Sequence, residues 1–164
     1  MLYQATHRTP VGELFLVSDE HILLGAGFKN FKDLFARMDI SDQKRDAKSV
    51  KNIPIISDLV KDYFDGDLAA LGGIKVRQPG AEFSQEVWKA MRKIPVGKTW
   101  SYSDLADRAG SPNAVRAVGT ACARNLIAPI IPCHRVIKTG GALGNYGYGL
   151  EIKDWLLRHE GALK

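Results

Sequence analysis

The sequence predicts an α+β protein in two parts: a small antiparallel β-sheet with helix, followed by a mostly helical half. Three observations carry this. Residues 2–27 form short runs rich in strand formers, broken by turn residues. From residue 31 onward, apolar residues recur at helical spacing. A stretch rich in glycine and proline, residues 65–82, coincides with a change in charge.

The strands are expected at Leu2–Arg8, Glu13–Ser18 and His21–Gly27, with turns at Thr9-Pro10-Val11-Gly12 and Asp19-Glu20. Phe31, Leu34, Phe35 and Met38 mark a first helix by their i, i+3, i+4, i+7 spacing. Residues 41–52 are polar and aperiodic and read as a loop. A second stripe, Ile55, Ile56, Leu59, Val60, Tyr63 and Phe64, lies between Pro54 and Gly66. Both stripes read as core. The break near residue 80 divides the chain into domains 1–80 and 81–164. The second domain opens with a helix at Ser84–Lys93, where Ser84 can cap and Phe83 can staple onto Trp88. Ser101 and Asp104 then carry a capping pattern for a short helix ended by Gly110, and Ser111-Pro112 starts another. Two helices joined by so short a turn form a helix-turn-helix pattern. On the second of them Ala114, Val115, Val118, Ala121 and Cys122 face inward. The other face presents Asn113, Arg116, Thr120 and Arg124 among the small residues Ala117, Gly119 and Ala123.

The chain has 164 residues, 45% of them hydrophobic and 25% charged, which excludes a disordered tail, a collagen-like fibre and a membrane span. No secretory signal is visible in MLYQATHRTPVGEL. Two cysteines are too few for a disulfide framework, so a cytoplasmic location with free thiols is expected. The cysteines and four histidines leave little for a metal site. The net charge of +5 lies wholly in the second domain. Between residues 88 and 138, nine basic residues are opposed only by Asp104 and Asp107. This points to a polyanion as partner, with a solvated basic face as the alternative. A helix face with few long side chains suits phosphate contacts and the minor groove better than base reading in the major groove.

The chemistry concentrates in Ile130-Ile131-Pro132-Cys133-His134-Arg135-Val136-Ile137. Side chains adjacent in an extended chain point apart, so a water between thiol and imidazole is the natural link. A histidine base needs a third group to fix its tautomer, and Glu160, in an expected helix Glu151–Glu160, is the candidate. Such a relay leaves a thiolate. An inert buried cysteine is the competing reading of this stretch taken alone.

PCHRV, preceded by RAVGTACARN and followed by LGNYGYGLEIKDWLLRHEG, closely resembles the O6-alkylguanine-DNA alkyltransferases over about residues 83–162. The resemblance implies an N-terminal RNase H-like layout and a C-terminal winged helix-turn-helix domain. It implies a monomeric repair protein without metal or cofactor. Such a protein flips O6-methylguanine (with O4-methylthymine a further candidate lesion) from double-stranded DNA through the minor groove. The alkyl group goes once, irreversibly, to its own cysteine. Residue by residue, Cys133 resembles the acceptor, His134 the base, Glu160 its orienting carboxylate and Tyr102 the donor to guanine N3. Arg116 resembles the finger that enters the base stack, and Asn125 the hinge. Asn113, Thr120, Arg124 and Arg135 join the DNA-facing set. The carbonyls of Cys133 and Val136 would accept from the guanine amino group, and the Gly147 N–H would reach O6. Tyr148 departs from the family's pattern and puts a ring on the loop over the pocket. A winged-helix regulator with a redox-sensing cysteine and a cysteine hydrolase are the alternatives from other classes.

Overall fold

The computed structural model describes residues 1–164. β1 (Leu2–Thr9) and β2 (Gly12–Asp19) pair antiparallel across the expected turn, where the Thr9 hydroxyl donates to the Gly12 carbonyl at 2.7 Å. β3 (Ile22–Gly27) pairs antiparallel with β2. α1 (Phe31–Arg37) starts at Asn30, whose side chain accepts from the Asp33 N–H at 2.7 Å.

Residues 41–52 are not a loop. They contain the end of α2 (Ile40–Gln43) and β4 (Ala47–Ser49), which runs parallel to β1. All three β4 residues are exposed, so this edge strand has no apolar alternation to reveal it. α3 (Ile56–Phe64) buries Ile56, Val60 and Tyr63. Ile55 falls outside the expected stripe, 62% exposed with φ of 70°. Within the expected linker, β5 (Lys75–Val76) pairs parallel with β3. The sheet, in the order β4-β1-β2-β3-β5, is therefore mixed rather than antiparallel.

By its packing the chain forms two units, Met1–Pro79 with Leu126–Ile130, and Gly80–Asn125 with Ile131–Lys164. The short segment 126–130 thus leaves the expected second domain. Ala26 donates to the Leu126 carbonyl at 2.9 Å, and the Ala128 N–H donates back to Ala26 at 3.0 Å.

The second unit begins with α4 (Glu82–Met91), two residues ahead of expectation. Phe83 and Ser84 lie inside it, and Ala81 at its entry offers no side-chain cap. Gly80 is required there, because a Cβ would sit 2.6 Å from the Trp88 ring. Trp88 in turn donates its indole N–H to the Ala121 carbonyl at 2.9 Å. β6 (Trp100–Ser101) leads into α5 (Tyr102–Arg108), which has the expected capping box between Ser101 and Asp104. α6 (Val115–Arg124) starts later than Ser111-Pro112, which remain in the preceding turn. It buries Val118 and Ala121, but Val115 is 37% exposed. β7 (Val136–Ile137) pairs parallel with β6, and α7 (Leu150–His159) closes the unit. No helix is long and apolar enough to cross a membrane.

Candidate active site

The site is assembled from α5, α6, α7 and the chain between residues 131 and 149. α6 stops at Asn125, whose buried side chain holds the returning chain. Its Nδ2 donates to the Ile131 carbonyl at 2.8 Å and to the Cys133 sulfur at 3.3 Å. An N–H aimed at sulfur stabilises negative charge there.

Cys133, His134 and Arg135 form a 3-10 turn rather than an extended strand. The turn leaves Cys133 partly exposed and sends His134 and Arg135 inward. His134 is fully buried, and its Nε2 lies 2.8 Å from Glu160 Oε2. Arg135 grips the same carboxylate, Nε to Oε1 at 2.7 Å and the guanidinium NH2 group to Oε2 at 3.1 Å, and donates to the Ile94 carbonyl at 2.9 Å. This corrects the expectation that Arg135 faces DNA. With side chain and carboxylate both buried, its charge is spent inside the protein.

Burial alone would raise the Glu160 carboxyl. The hydrogen bonds of His134 and Arg135, with the Arg135 charge, outweigh it and hold the group well below the usual carboxylate range. Glu160 is therefore an acceptor only, so His134 donates from Nε2 and keeps its lone pair on Nδ1. Nδ1 is buried and has no partner in the protein. Burial also lowers the His134 pKa, keeping the ring neutral at physiological pH. The result is an oriented base with an open acceptor position.

A cleft of about 710 Å³ opens above the thiol. Tyr102, Arg116, Thr120, Cys122 and Cys133 line it, together with Gly119 and Ala123 of α6. Lys138, Asn145, Tyr146 and Gly147 form its loop side. The volume accommodates a nucleobase. Asn113 and Arg124 are exposed but lie off this wall. Tyr148 is also off it, packed edge-on against Tyr146 at 5.8 Å between centroids, so Tyr146 presents the ring that the sequence reading gave to Tyr148. Val136 is buried, and its carbonyl accepts from Lys153 at 2.6 Å. Cys122 borders the cleft instead of lying wholly in the core. Burial, aided by the charge of Cys133, pushes its thiol up to about 12. No group of three or more His, Cys, Asp or Glu is placed to hold a metal.

Residues 82–162 match the DNA-binding domain model of 6-O-methylguanine DNA methyltransferases. The likeness extends beyond that half. A methylated-DNA–protein-cysteine methyltransferase of Salmonella typhimurium is 39% identical over 159 residues, covering 94% of this chain and 93% of the relative. The chain belongs to the methylated-DNA–protein-cysteine methyltransferase family. A member from Methanosarcina acetivorans is 37% identical, covering 98% of this chain and 99% of its own. The crystal structure of the Mycobacterium tuberculosis O6-methylguanine methyltransferase superposes with a TM-score of 0.78 at 34% identity, covering 99% of this chain and 94% of that one. The same enzyme in complex with DNA gives 0.80 at 32% identity, covering 98% and 93%. As a methyltransferase of this family, the protein repairs alkylated DNA by transfer to a cysteine of its own chain.

Sequence reasoning missed Lys153. It is fully buried on α7 and bonds the Val136 and Asn145 carbonyls. The available signal was its place on the apolar stripe shared with Leu156, Leu157 and Glu160, at helical spacing.

Proposed function

We propose that Cys133 is the alkyl acceptor and His134 its base, acting on O6-alkylguanine flipped out of duplex DNA. The carrying observation is the buried His134–Glu160 pair with an open Nδ1, beside a thiol that faces a base-sized cleft. The thiol proton passes through water to His134 Nδ1. The thiolate attacks the alkyl carbon, the C–O6 bond breaks, and its electrons go to the guanine. Tyr102 donates a proton at N3 and improves the leaving group. Burial, more than the nearby cysteines, raises the Tyr102 pKa, so the phenol is protonated and able to donate. The product is a thioether, which gives one turnover per molecule. The Gly147 N–H, on the cleft wall, would reach O6. The carbonyls of Cys133 and Val136 would take the guanine amino group, Val136 with the lone pair that Lys153 leaves.

A base inside the duplex hides its O6, so extrusion must precede chemistry. Arg116 is exposed at the rim of the cleft and would enter the vacated stack. The small residues around it let α6 approach the minor groove of double-stranded DNA closely, with Asn113, Thr120 and Arg124 toward the backbone. Binding by a monomer in the reducing cytoplasm, blind to sequence, fits lesions that arise anywhere. Arg116→Ala tests the extrusion step. Unstacking costs roughly a few kcal/mol, part of which the arginine offsets. Repair of O6-methylguanine in duplex DNA should slow far more than reaction with free O6-benzylguanine. Equal losses on both substrates would assign the residue to folding or chemistry instead.

A further inference from the structure

Lys153 combines burial with an unusual set of partners. Its ammonium is fully buried, and both its hydrogen-bond partners are carbonyls, Val136 at 2.6 Å and Asn145 at 3.2 Å. Buried charges are ordinarily paired with opposite charges, because desolvation costs several kcal/mol. A lysine kept here without a carboxylate partner needs a reason beyond packing.

The reason lies one peptide further on. Asn145 is on the cleft wall, and its backbone also hydrogen-bonds Tyr102. That bond favours the ionised phenol, as a donated N–H does. The backbone at Asn145 is thus fixed on both sides, its carbonyl by Lys153 and its N–H by the Tyr102 oxygen. The preceding residue brings the loop onto the tyrosine. Gly144 has φ of 77°, and a Cβ there would lie 3.1 Å from the Tyr102 oxygen and 3.3 Å from its ring. A phenol oxygen that accepts from the backbone has its own hydrogen available for another partner. Facing the cleft, that partner is the base.

We propose that Lys153 is a positioning residue for the transfer, holding the backbone at Asn145 so that the Tyr102 hydroxyl presents its proton to the bound base. This rests on the assignment of Tyr102 as donor to the leaving guanine. Burial lowers the Lys153 pKa, while the charge of a Cys133 thiolate acts to keep it protonated. A protonated ammonium serves both carbonyls at once, having three donors.

The test is a double-mutant cycle with Lys153→Met and Tyr102→Phe in the full-length protein. Two readings are taken: transfer from O6-methylguanine duplex, and alkylation of Cys133 by iodoacetamide, located by peptide mass. Lys153→Met should slow transfer by about tenfold in the wild-type background and by less than about twofold in the Tyr102→Phe background. Iodoacetamide needs the thiolate but no tyrosine, and the Lys153 charge favours that thiolate, so the rates are compared on their high-pH plateau, where they should stay within about twofold throughout. Multiplying effects in the cycle, or a parallel fall with iodoacetamide, would overturn the proposal. If Tyr102→Phe alone transfers at the wild-type rate, the assignment of Tyr102 fails and takes the proposal with it. A slow Tyr102→Phe with an independent Lys153→Met defeats the proposal alone. Lys153→Gln, which keeps a donor, serves if the methionine variant does not fold. Failure of both to fold makes Lys153 a folding residue and also overturns the proposal.

Discussion

Cys133→Ala should abolish alkyl transfer and leave DNA binding intact, whereas Cys122→Ala should still transfer. Both thiols border the same cleft, so position alone does not separate them. Their surroundings do. Cys133 lies on the turn beside His134, with the Asn125 amide 3.3 Å from its sulfur. Cys122 has its thiol pushed up to about 12, chiefly by burial, and holds almost no thiolate at neutral pH. The thiolate is the nucleophile, so the reaction is confined to one sulfur. Removing Cys133 takes nothing from α6 and leaves Arg116 and Thr120 exposed. Retained affinity for duplex DNA, measured by fluorescence anisotropy with no methyl transfer, is the expected pair of results. Transfer that survives in Cys133→Ala would move the acceptor elsewhere.

Glu160→Gln should cost more stability than either cysteine change and should also slow transfer strongly. The carboxylate is fully buried and accepts from His134 and twice from Arg135. Glutamine removes the negative charge and leaves the Arg135 guanidinium buried with neutral acceptors only, its own oxygen and the Ile94 carbonyl. Breaking a buried pair from one side costs about 3–5 kcal/mol, a large part of the total stability of a domain. The rate should fall on the order of a hundredfold or more, because an amide offers Nε2 either a donor or an acceptor and no longer enforces the tautomer with its lone pair on Nδ1. The pH dependence has a definite sign. Glu160 titrates lower in the folded state than unfolded, so its stabilisation is complete above the usual glutamate range and is lost as pH falls below it. The wild type should therefore unfold at lower urea concentration as pH drops below about 4.5, with a smaller slope in Glu160→Gln. Equal slopes would mean that the pair does not link protonation to folding.

These residues were legible in the sequence to different degrees. Cys133 and His134 are adjacent, and a motif that short exposes its chemistry directly. Glu160 was reachable because it ends a helix whose periodicity is plain, although 26 positions separate it from His134. Arg135 was misplaced for the converse reason. A count of basic residues treats each as a surface charge, and only the fold places Glu160 and the Ile94 carbonyl around this one. Lys153 was hidden by the habit of reading lysine as solvated, although its stripe with Leu156 and Leu157 faces inward. In the first unit, the runs of strand formers in β1 to β3, broken by turn residues, marked the core of the sheet. The edges β4 and β5 were lost because they are short, and β4 is exposed throughout.

The central claim is that one sulfur, that of Cys133, receives the alkyl group permanently. The direct measurement is the intact mass of the protein after reaction with O6-methylguanine duplex, followed by peptide mapping. The account predicts a single added methyl group, stable to dilution and time, on the peptide containing Cys133. A methyl on Cys122, a labile adduct, or continued turnover beyond one methyl per protein would contradict it.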